Sequence, residues 1–248
     1  MAHSVPSVFR FSCLGLSDQF VLSWLFQGSE AADTWAFPEV PMKLAALLLI
    51  ALALPAQDLP QEKATAFDRA VVQEMSDLRT RPRAYARHLR DLRKYFEGTL
   101  WKRPERTPLR TEEGLAAFDE AIAFLETVPP VGPLRFNEGL AQAARLHAQD
   151  IGPRGALEHV GRDGSRLSQR LNRLGTWHGL IAENIGTLEE DPRQVVIQLL
   201  VDDGVPGRGH RHNLFNPELH QAGAGTAPHR DYRVVTVIDY ADGFVLGH

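Results

Sequence analysis

Three short segments carry the residue types that do chemistry. They are Glu158-His159-Val160-Gly161 with Asp163-Gly164-Ser165, Ala182-Glu183-Asn184-Ile185-Gly186, and Gly207-Arg208-Gly209-His210-Arg211-His212-Asn213. Each sets a histidine or glutamate among glycines and away from any apolar stripe, which reads as loop, where functional side chains concentrate. Two neutral imidazoles and a carboxylate, brought together, suit Zn²⁺ or a similar divalent ion with open water positions. A carboxylate behind an imidazole would instead orient it. The spacings are long, 24 residues from His159 to Glu183 and 27 from Glu183 to His210. They contain no H-E-x-x-H and no paired cysteines, so only the tertiary fold can join them. The plain alternative is a pair of hydrogen-bonded structural histidines, with Glu183 a buried acid paired to Arg211 or to backbone N–H groups. His147 lies on an apolar stripe and reads as a satisfied core histidine. His212, two residues from His210, points elsewhere on a helix. His178, His220, His229 and His248 read as surface. Ser165 and Ser168 lack a nucleophile-elbow context.

The elements that must position these groups follow from periodicity. Val71, Val72, Met75 and Leu78 fall at helical spacing. Pro82 ends that helix and opens a second, with Ala84, Tyr85, Leu89, Leu92 and Phe96 on its stripe. The basic residues from Arg79 to Arg106, interleaved with apolar ones, read as the solvated face of a helix. Gly98 to Arg110 reads as a loop. Thr111 is an N-cap for a helix with Leu115, Phe118, Ile122 and Leu125. Asn137 caps a fourth helix carrying Leu140, Ala144 and His147. Asp163 caps a short helix through Leu167 and Leu171 to Leu174, and Asp191-Pro192 starts another that Gly204 ends. Gln221–Pro228 is small and Gly-rich, and Arg233–Tyr240, rich in β-branched residues, reads as a strand with His229–Tyr232 turning between them. Helices flanking a small, mainly antiparallel sheet make an α+β sandwich.

Composition limits the function classes. Of 248 residues, 44% are hydrophobic and 23% charged, and the net charge of -4 offers no basic field for nucleic acid. The single cysteine, Cys13, excludes an intramolecular disulfide. Lys43 precedes eleven consecutive apolar residues, Leu44 to Leu54, then Pro55 and Ala56. That is a signal-peptide pattern, too short to span a bilayer. Residues 1–41 then read as an artefact of the assigned start, 42–56 as the signal peptide and 57–248 as one domain with its core at about 65–244. This predicts a secreted, periplasmic or cell-surface protein with no membrane span after cleavage near Ala56.

The three segments resemble the signature regions of the CAP superfamily, the cysteine-rich secretory, antigen 5 and pathogenesis-related class 1 proteins, and its bacterial SCP-domain members most of all. The matching pieces are His159 with Asp163-Gly164-Ser165, Ala182-Glu183-Asn184-Ile185, and Gly209-His210-Arg211-His212-Asn213-Leu214-Phe215-Asn216-Pro217. The last is the most specific. Gly223-Ala224-Gly225 and Val234–Tyr240 match the family's closing strands. The resemblance runs from about Thr65 to Phe244. It implies a three-layer α-β-α sandwich with a central antiparallel sheet, and a cleft of two histidines and two acids. His159, Glu183 and His210 match three of the four. The second acid is usually on the helix before the Gly-His run, after a Trp that this chain lacks there, and Asp202, or else Asp203, stands in. The resemblance therefore implies a secreted protein that binds a small-molecule, lipid or cell-wall ligand or a divalent ion, with His159 and His210 as metal ligands. The alternatives are a metal-assisted hydrolase with Glu183 as general base and a structural surface protein with a vestigial cleft.

Overall fold

The computed structural model describes residues 64–187 and 191–247. The expected signal segment, Cys13 and His248 lie outside them. Helix α1 (Ala66–Thr80) starts at a capping box in which Thr65 and Asp68 satisfy each other's backbone N–H groups. Its Val71, Val72, Met75 and Leu78 are buried. Arg81 separates it from α2 (Pro82–Leu92), with proline in the first turn. Arg79 departs from the solvated-face expectation. It is fully buried, and its guanidinium donates to the carbonyls of Gly132 (2.7 Å), Leu214 (2.8 Å), Asn216 (3.1 Å) and Leu219 (3.0 Å). Four carbonyls of two distant loops replace water around the cation, which lets it sit in the core.

Gly98 to Arg110 is not a plain loop. β1 (Phe96–Glu97), β2 (Leu100–Trp101) and β3 (Leu109–Arg110) form an antiparallel meander. It places Trp101 against Phe96 and edge-on to Phe118, 5.7 and 5.0 Å between ring centroids. Thr111 does not cap the next helix. Its hydroxyl donates to the Thr99 carbonyl, closing the meander, and α3 (Leu115–Thr127) starts at Gly114.

The main sheet has the order β4-β6-β7-β5, from β4 (Arg135–Phe136), β5 (Gly175–Thr187), β6 (Gln221–His229) and β7 (Arg233–Leu246). Only the short β4–β6 pair is parallel. Helix α4 (Glu138–Ile151), capped by Asn137, lies on one face. Gly223 and Gly225 allow that approach, since a Cβ on either would come within 2.0 Å of Ala141 N and 2.1 Å of Arg145 N. The other face presents Ala222, Ala224, Ile238 and Tyr240 to a core shared with α1 and with α6 (Pro192–Val201). The result is the α-β-α sandwich expected. Two details differ. Helix α5 (Leu167–Asn172) begins after Arg166, while Asp163 accepts from Ser165 N in a turn before it. His229 is buried rather than on the surface. Its Nδ1 accepts from the N–H groups of Asp231 and Tyr232 and its Nε2 donates to the Ala156 carbonyl, so it staples the β6–β7 turn.

Candidate functional site

Glu183 lies on a strand, not a loop. The sequence pattern hides β5, because its residues alternate between the two layers at the sheet edge and several are polar. As an edge strand, β5 lets groups from both faces of the sheet meet beside it. Glu183 stands opposite Asp239 of β7, so both carboxyls share the α4 face. The next residue, Asn184, faces the other way. Its amide donates to the His210 carbonyl (3.2 Å) and to Tyr240 Oη (3.1 Å), and its oxygen accepts from Asn213 (2.8 Å). These bonds seat α7 (Gly209–Phe215) on the strand and join the Glu183-Asn184 segment to the His210–Asn213 segment.

His210 is oriented by Asp202. That residue ends α6 in the left-handed conformation, φ 57°, one that Asp tolerates better than most side chains. From there its buried carboxylate takes the His210 Nδ1–H at 2.6 Å and the His210 backbone N–H at 2.9 Å. Asp203, the other candidate, lines the same cavity as His159 and His210, but its carboxylate is engaged by the backbone N–H groups of Glu112 and Glu113 rather than by an imidazole. Arg211 is buried and donates to Leu200 and Val201 carbonyls and to Glu120. It thus caps α6 and does not pair with Glu183.

His159 donates its Nδ1–H to Glu183 Oε1 at 2.8 Å. The other Glu183 oxygen binds Arg170, whose guanidinium also holds the His159 and Ser165 carbonyls. The histidine side chain is 59% exposed and the glutamate 3%. Burial by itself pushes the Glu183 carboxyl up. The His159 hydrogen bond and the Arg170 charge outweigh it and hold the group below the usual glutamate value. Asp239 goes the other way. It is fully buried, neither of its oxygens has a hydrogen-bond partner among the described residues, and burial together with the Glu183 charge raises its pKa well above that of an ordinary aspartate. Burial and the neighbouring charge therefore favour the neutral form of Asp239 and the ionised form of Glu183.

The sequence gives no sign that two further residues join this cluster, His147, which it places in the core, and Asp239. His147 is buried, with Nε2 on the Glu158 carbonyl (2.8 Å) and 3.9 Å from Glu183. Burial lowers its pKa, which favours the neutral ring, and its Nδ1 has no partner among the described residues. Asp239, in a β-branched run, could have been noticed only as an acid where an apolar residue was due. His212 is exposed as expected. His178 and His220 are exposed but not isolated, as both approach Asp242, at 3.5 and 2.8 Å.

His159, His210 and Asp202 line a single cavity of about 110 Å³. Its remaining wall is largely apolar, with Trp101, Phe118, Ile185 and Ile197. Glu183 does not reach it and stands behind His159. With each Nδ1–H committed to a carboxylate, each Nε2 is left with its lone pair as the available nitrogen.

Residues 130–240 match the family model described as the cysteine-rich secretory protein family, CAP. This chain carries a CAP domain. Helices α1 to α3 and the meander precede the matched segment of the CAP domain, which is shorter than the Thr65–Phe244 span expected. Three solved structures are similar. An extracellular SCP-domain protein from Bacillus anthracis shares 22% identity over 51% of this chain and 39% of its own, with a TM-score of 0.36. An outer surface protein from Borrelia burgdorferi shares 18% over 51% and 89%, with 0.39. A cysteine-rich secretory protein from Staphylococcus aureus shares 15% over 52% and 38%, with 0.34. This chain thus spans well under half the length of the first and third. A comparison with curated proteins gives no match. Among the described residues no helix is long and apolar enough to cross a membrane.

Proposed function

We propose that the protein is an exported CAP-domain binding module whose cleft holds a small ligand or a divalent cation on Nε2 of His159 and His210. The observation that carries this is the matched pair of imidazoles on one cavity, each with its Nδ1–H on a buried carboxylate. Zinc-binding histidines are commonly held this way, since the carboxylate sets the tautomer and strengthens the free nitrogen as a donor. Among the described residues no three His, Cys, Asp or Glu side chains converge to hold a metal ion. A cation would therefore have two protein ligands and keep water in its other positions, which makes for weak, exchangeable binding.

A bound cation would supply Lewis acidity to a water or ligand oxygen. The protein's own groups favour binding over turnover. Glu183 is buried with both oxygens engaged, so it positions His159 rather than accepting a proton from a water. Export is supported by Lys43, the Leu44–Leu54 run and Ala56, and the N-terminus of the exported protein should lie at or near Gln57. The function is tested by zinc calorimetry on wild type and His210→Ala at pH 7.5 and 5. Binding at pH 7.5 that is lost in the variant, and weakened at pH 5 where imidazoles protonate, is the expected result. Equal titrations for both proteins would refute the histidine-centred reading.

A further inference from the structure

The cavity holds more than the two imidazoles. Trp101 Nε1 and Thr187 Oγ1 are buried, and neither has a hydrogen-bond partner among the described residues, although both residues line this cavity. Buried polar groups are seldom left unmade, because each orphan costs about 1–3 kcal/mol. Trp101 belongs to the meander, which precedes the family-matched segment.

Size, polarity and charge then narrow the occupant. A dry cavity of about 150 Å³ accepts one benzene molecule. At about 110 Å³ this one is no larger than that, which favours at most a single small ring over a sterol or a folded acyl chain. Trp101 and Phe118 in the wall suit the edge and face of an aromatic ring. Glu183 and Asp202 stand directly behind the imidazoles, so an anionic headgroup would meet lone pairs backed by negative charge. A neutral hydroxyl fits there, since it donates to Nε2. A second oxygen fits Trp101 Nε1 or Thr187 Oγ1, as an acceptor.

We propose that the cleft binds a small uncharged aromatic alcohol, one ring with one or two hydroxyl groups, seated on Trp101 and Phe118 with a hydroxyl on a cleft imidazole. This rests on the reading of His159 and His210 as the ligand-facing groups. The test is ¹H–¹⁵N NMR of the purified protein titrated with benzene, phenol, resorcinol and palmitate. The Trp101 indole signal is assigned by its loss in Trp101→Phe. Trp177, whose Nε1 donates to Asn172 at 2.8 Å, is an internal control. Phenol and resorcinol should bind more tightly than benzene and shift the Trp101 signal saturably while Trp177 stays still. Trp101→Phe, which keeps a ring but loses the donor, should weaken resorcinol about three- to tenfold and leave benzene unchanged. Benzene binding as well as phenol, an unmoved Trp101 signal, or palmitate displacing the ring compounds would each overturn the proposal. Ring compounds that bind equally to wild type and His159→Ala/His210→Ala would keep the cavity's ligand class and overturn the role given to the histidines.

Discussion

Replacing Asp239 by Asn tests the neutral form of this acid directly. The substitution keeps shape and neutrality but removes the ionisable group. Asp239 is fully buried opposite Glu183 and its pKa is raised well above the ordinary value. An acid whose folded pKa exceeds its unfolded one binds more proton in the native state between the two values. Its stabilising contribution is complete below the unfolded value, near 3.9 for Asp, and is lost as pH rises through the folded value. Across that window wild type should lose up to about 1.4 kcal/mol per pH unit relative to Asp239→Asn. Glu183 has a depressed pKa, so its contribution is lost as pH falls, and the wild-type curve alone is a mixture. The difference between the two proteins isolates the Asp239 side of the pair. Urea unfolding of both at pH 4, 5, 6 and 7 supplies it. The variant should gain on wild type steadily above pH 4. Parallel pH profiles would show that Asp239 is not protonated in the fold and would refute the account of the pair.

Asp202→Ala should free the His210 ring, destabilise the domain by about 2 kcal/mol and lower zinc affinity about 10- to 100-fold. Calorimetry and urea unfolding would check both, and unchanged zinc affinity would remove Asp202 from the site. Arg79→Met should cost roughly 3 kcal/mol or more by orphaning four carbonyls, whereas Arg87→Met, at an exposed position, should stay within about 0.5 kcal/mol, both read from urea midpoints. Gly223→Ala drives a methyl into the backbone of α4 and should destabilise by about 3 kcal/mol, seen as a lowered thermal midpoint.

The sequence determined what local physics controls. Helix stripes at Val71–Leu78 and Leu115–Leu125, the caps at Asn137 and Asp191 and the closing β6–β7 hairpin follow from periodicity and turn chemistry, which act within a few residues. The family resemblance named His159, Glu183 and His210 and left the fourth position between Asp202 and Asp203, and the motif around Gly209-His210 is specific even in one sequence. Other features were decided by contacts far apart in the chain. Arg79 looks like its exposed neighbours and is buried only because carbonyls from 132 and from 214–219 converge on it. Trp101 sits in a Pro-containing stretch that reads as loop until the meander pairs it, and Thr111, which reads as a helix cap, closes that meander instead. β5 shows its strand character only through its ladder with β7. The two histidines share a cavity because β5 is an edge strand, where Glu183 on one face and helix α7 on the other come within reach. Asp239 is legible only as an acid in an apolar run. Its proton, and through it the charge of Glu183, depends on burial that no window of sequence contains.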